Sequence, residues 1–262
     1  MSLTYGSYLQ IDQLLSLQQP RSNPPEHDEM LFIVIHQTYE LWFKLLLHEL
    51  DAAGRALSAG GLYAAIHTFH RCRTIMKTLV GQLDILETMT PMSFNSFRDR
   101  LETASGFQSA QFRELEFVLG YKRADMDFAK LYGADSAGYR ALLHRLNQPT
   151  VIDCFYRFLK HRGAAIPAAL LSRDVRESNR ADPVVQHELL RLYKSAPDAA
   201  ILFELMTDFD EGLQEWRYRH VKVVERTIGN KHGTGGSPGV EFLKQSLFKP
   251  VFPDLWAIRH EL

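Results

Sequence analysis

Cysteine is nearly missing from this chain: Cys72 and Cys154 are the only two in 262 residues. That excludes a disulfide framework, a Cys-x-x-Cys metal site and the Cys-x-x-Cys-His attachment of a covalent haem. Net charge is nearly missing too. With 30 basic and 31 acidic side chains the formal charge is -1, so no global field draws in nucleic acid or an anionic membrane surface. Long apolar runs are also absent. Residues 31–35 are apolar but stop at His36, and Leu45-Leu46-Leu47 lies between Lys44 and His48, short of an uninterrupted bilayer span. The N-terminus, Met1-Ser2-Leu3-Thr4-Tyr5-Gly6, lacks the basic start and apolar stretch of a secretory signal, and a cytoplasmic location is the expectation that follows. Strand-like alternation, internal repeats and low-complexity tracts are wanting as well.

What is there is helical periodicity. After Asn23-Pro24-Pro25 and an acidic turn, Phe32, Ile35, His36, Tyr39, Phe43, Leu46 and Leu50 recur at spacings of three and four up to Gly60-Gly61. A second helix is predicted over 62–88, with Ile66, Phe69, Cys72, Ile75, Met76, Leu79 and Leu83 inward. Another follows over 107–119. Residues 123–198 are cut by glycines and prolines into short helical pieces and read as an excursion, a lid or an inserted subdomain. Pro197 opens a long helix with Ile201, Leu205, Phe209, Leu213, Trp216, His220 and Val223 on one stripe, ended at Gly229-Asn230. A glycine-dense loop, 231–239, precedes a last helix over 240–247. The expected fold is all-α, one domain over 1–262 with the 123–198 excursion inside it, and 45% hydrophobic residues suffice for one large core.

Of 11 histidines, His36 and His220 stand out because each falls on the apolar stripe of a long helix. Taken singly, a hydrogen-bonded core histidine is the simpler reading for either. Spacing tests the metal alternatives. No histidine has Glu three residues before it, which removes the di-iron bundle. His-Glu-x-x-His is absent, which removes the zinc protease. His67 and His70 form a His-x-x-His pair without an evident third ligand, so a surface role suits them better. One axial imidazole on a buried helix stays compatible with haem, whose porphyrin supplies four ligands. The loop around Thr234 lacks P-loop spacing and reads equally as a ligand-approaching loop or a plain connector. Arg98, after Phe94 and Phe97, has the guanidinium for a carboxylate fork, yet alone it reads as a local salt bridge with Asp99 or Glu102.

Four segments in order change that balance. They are Leu3-Thr4-Tyr5-Gly6-Ser7-Tyr8-Leu9; 27–44, centred on Phe32-Ile33-Val34-Ile35-His36-Gln37-Thr38-Tyr39-Glu40-Leu41-Trp42; Phe97-Arg98-Asp99 with Ala104-Ser105-Gly106-Phe107-Gln108-Ser109; and Trp216-Arg217-Tyr218-Arg219-His220 through Gly233-Thr234-Gly235-Gly236 to Phe242-Leu243. Together they resemble the signature segments of the tryptophan 2,3-dioxygenase family over nearly the whole chain, least between 123 and 198.

The resemblance implies an all-helical haem b enzyme, usually a homotetramer, that opens the pyrrole ring of L-tryptophan with O2 to give N-formylkynurenine. A superfamily monooxygenase inserting one oxygen atom into a tryptophan derivative would carry a similar signature. A non-catalytic haem sensor would need no carboxylate clamp. By similarity His220 is the proximal iron ligand and His36 the distal histidine beside the indole N–H. Arg98 is the carboxylate clamp and Thr234 the loop hydroxyl near the substrate's ammonium and carboxylate. Phe32 and Leu101 are pocket walls, and Ser105 and Gly106 lie near the haem edge. Tyr5, Tyr8 and Leu9 enter the pocket from a neighbouring subunit. Some family members have Tyr where Phe94 stands, which leaves the clamp to Arg98.

Overall fold

The three long stripes become three long helices. A computed structural model describes residues 2–123, 126–229, 231, 233 and 239–262, and among these there are helices and no strand. Two short N-terminal helices, α1 (Tyr5–Leu9) and α2 (Ile11–Leu15), precede α3 (His27–Ser58) and α4 (Leu62–Leu86). Next come α5 (Pro91–Arg98), 3-10 turns at Asp99–Leu101 and Gly106–Gln108, and α6 (Ala110–Val118). The 123–198 stretch holds α7 (Phe128–Tyr132), α8 (Ala137–Leu146), α9 (Val151–His161), α10 (Ala168–Leu171) and α11 (Pro183–Ser195). The chain closes with α12 (Pro197–Ile228), α13 (Val240–Lys244) and α14 (Pro253–Ala257).

α4 packs along both α3 and α12, and these two contribute facing walls to the cavity described below. Ile35, Tyr39, Phe43, Leu46 and Leu50 of α3 are buried, as are Phe69, Cys72, Ile75, Met76, Leu79 and Leu83 of α4. By length and composition α3 is apolar enough to cross a bilayer, and here its stripe is packed on α4, α6 and α9. Gly60, at φ +73°, makes the turn between α3 and α4 in a backbone conformation that side-chain-bearing residues rarely adopt.

The predicted stripe of α12 is right around Phe209 to Trp216 but slips toward the N-terminus. Ile201 is 55% exposed, while Leu202, Phe203 and Met206 are buried. Strict four-residue spacing from 201 to 213 drifts about 40° per step around a helix of 3.6 residues per turn, so the run leaves the inner face. α12 itself is pinned to the C-terminal segment: Asp210 accepts hydrogen bonds from the Val251 and Phe252 amides at 2.8 and 2.9 Å and from Trp256 Nε1 at 3.0 Å.

The 123–198 segment is tied into the same body. α9 buries Val151, Ile152, Phe155, Phe158 and Leu159 against the common core. Arg145 on α8 reaches Asp51 on α3 through two bonds of 2.5 and 2.8 Å. Gly120, at φ +90°, lets Asn179 close on the backbone: a Cβ there would stand 1.9 Å from Asn179 Nδ2. Lys122, 1% exposed, donates its ammonium to the carbonyls of Arg145, Leu146 and Gln148 at 2.9, 3.2 and 3.2 Å. It thereby closes the C-terminal end of α8, where carbonyls have no helical partner. Burial is the main cause that pulls its pKa down to about 8. Lys122→Met should lower the unfolding free energy by about 3 kcal/mol, because it strands buried acceptors. Urea denaturation measures this, and a change under about 0.5 kcal/mol would remove the capping role.

Candidate functional site

A cavity of about 270 Å3 lies between α3 and α12, floored by Leu83 and Leu86 of α4. α3 supplies Phe32 and His36, α5 supplies Phe94 and Arg98, and α12 supplies Trp216, Arg217 and His220. The helical period that buries Ile35 and Tyr39 thus turns His36, four residues after Phe32, toward the same space.

His36 Nδ1 lies 2.7 Å from the Phe32 carbonyl oxygen. A carbonyl only accepts, so Nδ1 carries the proton and Nε2 keeps a lone pair. The Phe32 ring rests 4.0 Å from the imidazole, centroid to centroid. Burial holds the His36 pKa below its usual value, against the Phe32 carbonyl and Glu40, which push the other way. The ring is therefore neutral at pH 7.

His220 is held differently. Its ring lies parallel to Trp216, one turn earlier, with centroids 5.0 Å apart and planes within 6°. Trp216 is in turn wedged edge-on to Phe43 at 6.2 Å and Tyr39 at 6.1 Å, and the Tyr39 hydroxyl donates to the Leu79 carbonyl at 2.9 Å. Burial, with a smaller contribution from His36, pushes the His220 pKa down to about 4. Among the described residues the ring has a stacking partner but no hydrogen bond. It is a neutral imidazole with an available lone pair.

Arg98 ends α5, which starts with a Thr90 cap and Pro91 in its first turn. Phe94 and Phe97 meet at 5.5 Å, edge to face, and each touches Phe32. Phe32 and Phe94 of this aromatic corner line the cavity with Arg98. Leu101, Ser105 and Gly106 line the same cavity, so seven of the residues singled out in the sequence come together: Phe32, His36, Arg98, Leu101, Ser105, Gly106 and His220. Tyr5, Tyr8 and Leu9 do not line it. They are 78%, 70% and 43% exposed on α1. Thr234 lies outside the described residues.

A sequence profile described as tryptophan 2,3-dioxygenase matches residues 1–165 and 174–262. A tryptophan 2,3-dioxygenase of Herpetosiphon aurantiacus is 54% identical over 263 residues, covering 100% of this chain and 99% of the relative. The chain belongs to the tryptophan 2,3-dioxygenase family. A second member, from Anaeromyxobacter dehalogenans, is 50% identical across 100% of this chain and 97% of its own length. A third, from Bacillus thuringiensis subsp. konkukian, is 42% identical over 100% and 93%. All three carry the dioxygenase name, so nothing in the family match favours the monooxygenase alternative.

The residues present fit the haem that the family implies. Among the described residues no group of three or more His, Cys, Asp or Glu side chains could hold a metal ion, so a metal here would have to bring most of its ligands. His220 is a neutral donor on the cavity wall, and Leu83, Leu86, Met89, Val223, Val224 and Phe107 give apolar walls. Five charged residues to which the family resemblance gave no role also line the cavity: Glu40 of α3, Arg113 and Glu116 of α6, Arg123, and Arg217 of α12. Charges on amphipathic helices ordinarily read as a solvated face. The one signal was Arg217, three residues before His220 and so on the same side of α12.

Proposed function

We propose that this chain catalyses the oxidative opening of the pyrrole ring of L-tryptophan by dioxygen, giving N-formylkynurenine, in one helical domain that holds haem b through His220. The observation that carries the reading is the pairing of two neutral imidazoles, His36 and His220, across one apolar cavity that Arg98 also lines. The family membership supports the reaction type.

Haem, when bound, supplies the redox chemistry that lets dioxygen react with an electron-rich ring. The protein's own contribution is positioning and the exclusion of water. Parallel stacking on Trp216 fixes the plane in which His220 presents its lone pair. The lone pair on His36 Nε2 accepts a hydrogen bond from the indole N–H, and the tautomer needed is the one that the Phe32 carbonyl enforces. Phe32 stacks against the indole. Arg98 pairs with the substrate carboxylate through two parallel N–H bonds. Leu101 completes the wall, Ser105 and Gly106 lie at the haem edge, and Thr234 gives the substrate's polar end a hydroxyl.

The site is completed in a homotetramer by Tyr5, Tyr8 and Leu9 of a neighbour. This is supported by the exposed apolar side chains along the N-terminal segment, Leu3, Tyr5, Tyr8, Leu15 and Leu17.

Ferrous protein turning over L-tryptophan under 18O2 should give a product that gains two labelled oxygen atoms by mass spectrometry. Gain of one atom would overturn ring-opening dioxygenation in favour of monooxygenation, and no turnover would overturn catalysis on tryptophan. His36→Ala should reduce kcat/KM roughly fivefold to tenfold with haem content unchanged, the size of one lost neutral hydrogen bond. Steady-state kinetics at matched haem loading decides it, and wild-type kinetics in the variant would remove His36 from the indole contact.

A further inference from the structure

Arg113, Arg123 and Arg217 are 3%, 3% and 6% exposed. Within this group the one carboxylate is Glu116, which pairs with Arg113 Nη1 and, at 3.4 Å, with Arg123 Nε. Among the described residues three nitrogens have no hydrogen-bond partner: Arg113 Nε, Arg123 Nη1 and Arg217 Nε. Asp210 does not supply the missing charge. Its Oδ2 is taken by two backbone amides and Trp256, and its Oδ1 by Gln214. Arg217 spends Nη1 on the Lys249 and Ser246 carbonyls at 2.8 and 3.4 Å. Phe107 and Phe242, in edge contact at 4.9 Å, cover the group, with Arg123 over Phe242 at 4.7 Å and Arg113 over Phe107 at 5.9 Å. Buried guanidinium N–H groups without acceptors are costly, and the cost disappears when an anion arrives with oxygens to share among them.

We propose that Arg113, Arg123 and Arg217 form an anion seat in the cavity wall that takes a propionate carboxylate of the haem. The proposal rests on the haem reading above. A haem held by His220 would bring two carboxylates into a largely apolar cavity, and Arg217, one helical turn from His220 on α12, lines that cavity together with Arg113 and Arg123. Arg98 is a separate residue of the cavity lining: it belongs to α5, and the proposed function assigns it to the amino-acid carboxylate. Glu116 fits the same account, since it holds two of the guanidiniums in place while leaving the group with excess positive charge for an incoming anion.

The test is to titrate haem-free full-length protein with ferric protohaem and, separately, with its dimethyl ester, which keeps iron and macrocycle but loses both negative charges, following the Soret band. Wild-type protein should bind protohaem roughly tenfold to a hundredfold more tightly than the ester, the worth of one to two charge-assisted hydrogen bonds. Arg123→Met and Arg217→Met should each lose most of that preference while binding the ester as wild type does. Arg123→Lys should keep part of it. Equal binding of the two porphyrins by wild-type protein, or full preference retained in both Met variants, would overturn the seat while leaving the haem reading intact. A wild-type protein that binds neither porphyrin, or whose Soret band is indifferent to His220→Ala, would overturn the haem reading and the seat with it. Arg217→Met also strands two carbonyls; if it does not fold, the wild-type comparison and Arg123→Met still decide the matter.

Discussion

His220→Ala is expected to leave the protein folded but without stoichiometric haem, its Soret band lost or displaced. His220 presents a neutral nitrogen on the cavity wall with no hydrogen bond among the described residues, and its low pKa of about 4 keeps it unprotonated throughout the usual working range. Alanine removes the only protein bond assigned to the iron. Loss of a residue that merely supports a metal ligand costs about ten- to a hundredfold in affinity, so loss of the ligand itself should exceed that. Pyridine haemochrome assay of purified protein measures the haem-to-chain ratio. Added imidazole should restore the band by refilling the space left against Trp216. Full haem content with an unchanged spectrum in the alanine variant would sink the assignment.

The second large effect is expected at Arg98. Arg98→Leu should weaken L-tryptophan binding about a hundredfold, close to 3 kcal/mol, since it leaves a substrate carboxylate in an apolar corner without its charge partner. Haem content should not change. The measurement is the spectral titration of ferrous protein with L-tryptophan and with 3-methylindole, which has no carboxylate. Only the first should respond to the variant. Equal losses for both ligands would mean that Arg98 supports the wall rather than the carboxylate, and unchanged affinity for L-tryptophan would remove it from binding altogether.

The parts of the fold legible in the sequence are those whose burial follows a long three-and-four pattern. α3 and α4 emerge from their apolar residues with little error, and His36 is noticeable because it interrupts such a pattern. Short helices carry no such signal. α1 is stabilised by a Thr4–Ser7 capping box and buries nothing, and α14 begins at Pro253 and owes its place to Asp210, 46 residues before Trp256. The same limit applies at the site. His36 and His220 could be named because titratable groups on apolar stripes are rare. Arg113, Glu116 and Arg123 could not, because a charged residue is placed in the interior only by elements distant in the chain, here α12 and Phe242. Arg98 read as an ordinary surface cation until the resemblance gave it a role and the structure placed it in one cavity lining with Phe32, Phe94 and His36.

The parallel contact between Trp216 and His220 has an optical consequence. The chain has three tryptophans, Trp42, Trp216 and Trp256, and Trp216 lies face to face with the imidazole assigned to the iron. A porphyrin bound there would sit within a short energy-transfer range of that indole and darken its emission. The haem-free protein should therefore fluoresce from Trp216 and dim in proportion to loading, so that the residue orienting the ligand also serves as a built-in gauge of occupancy.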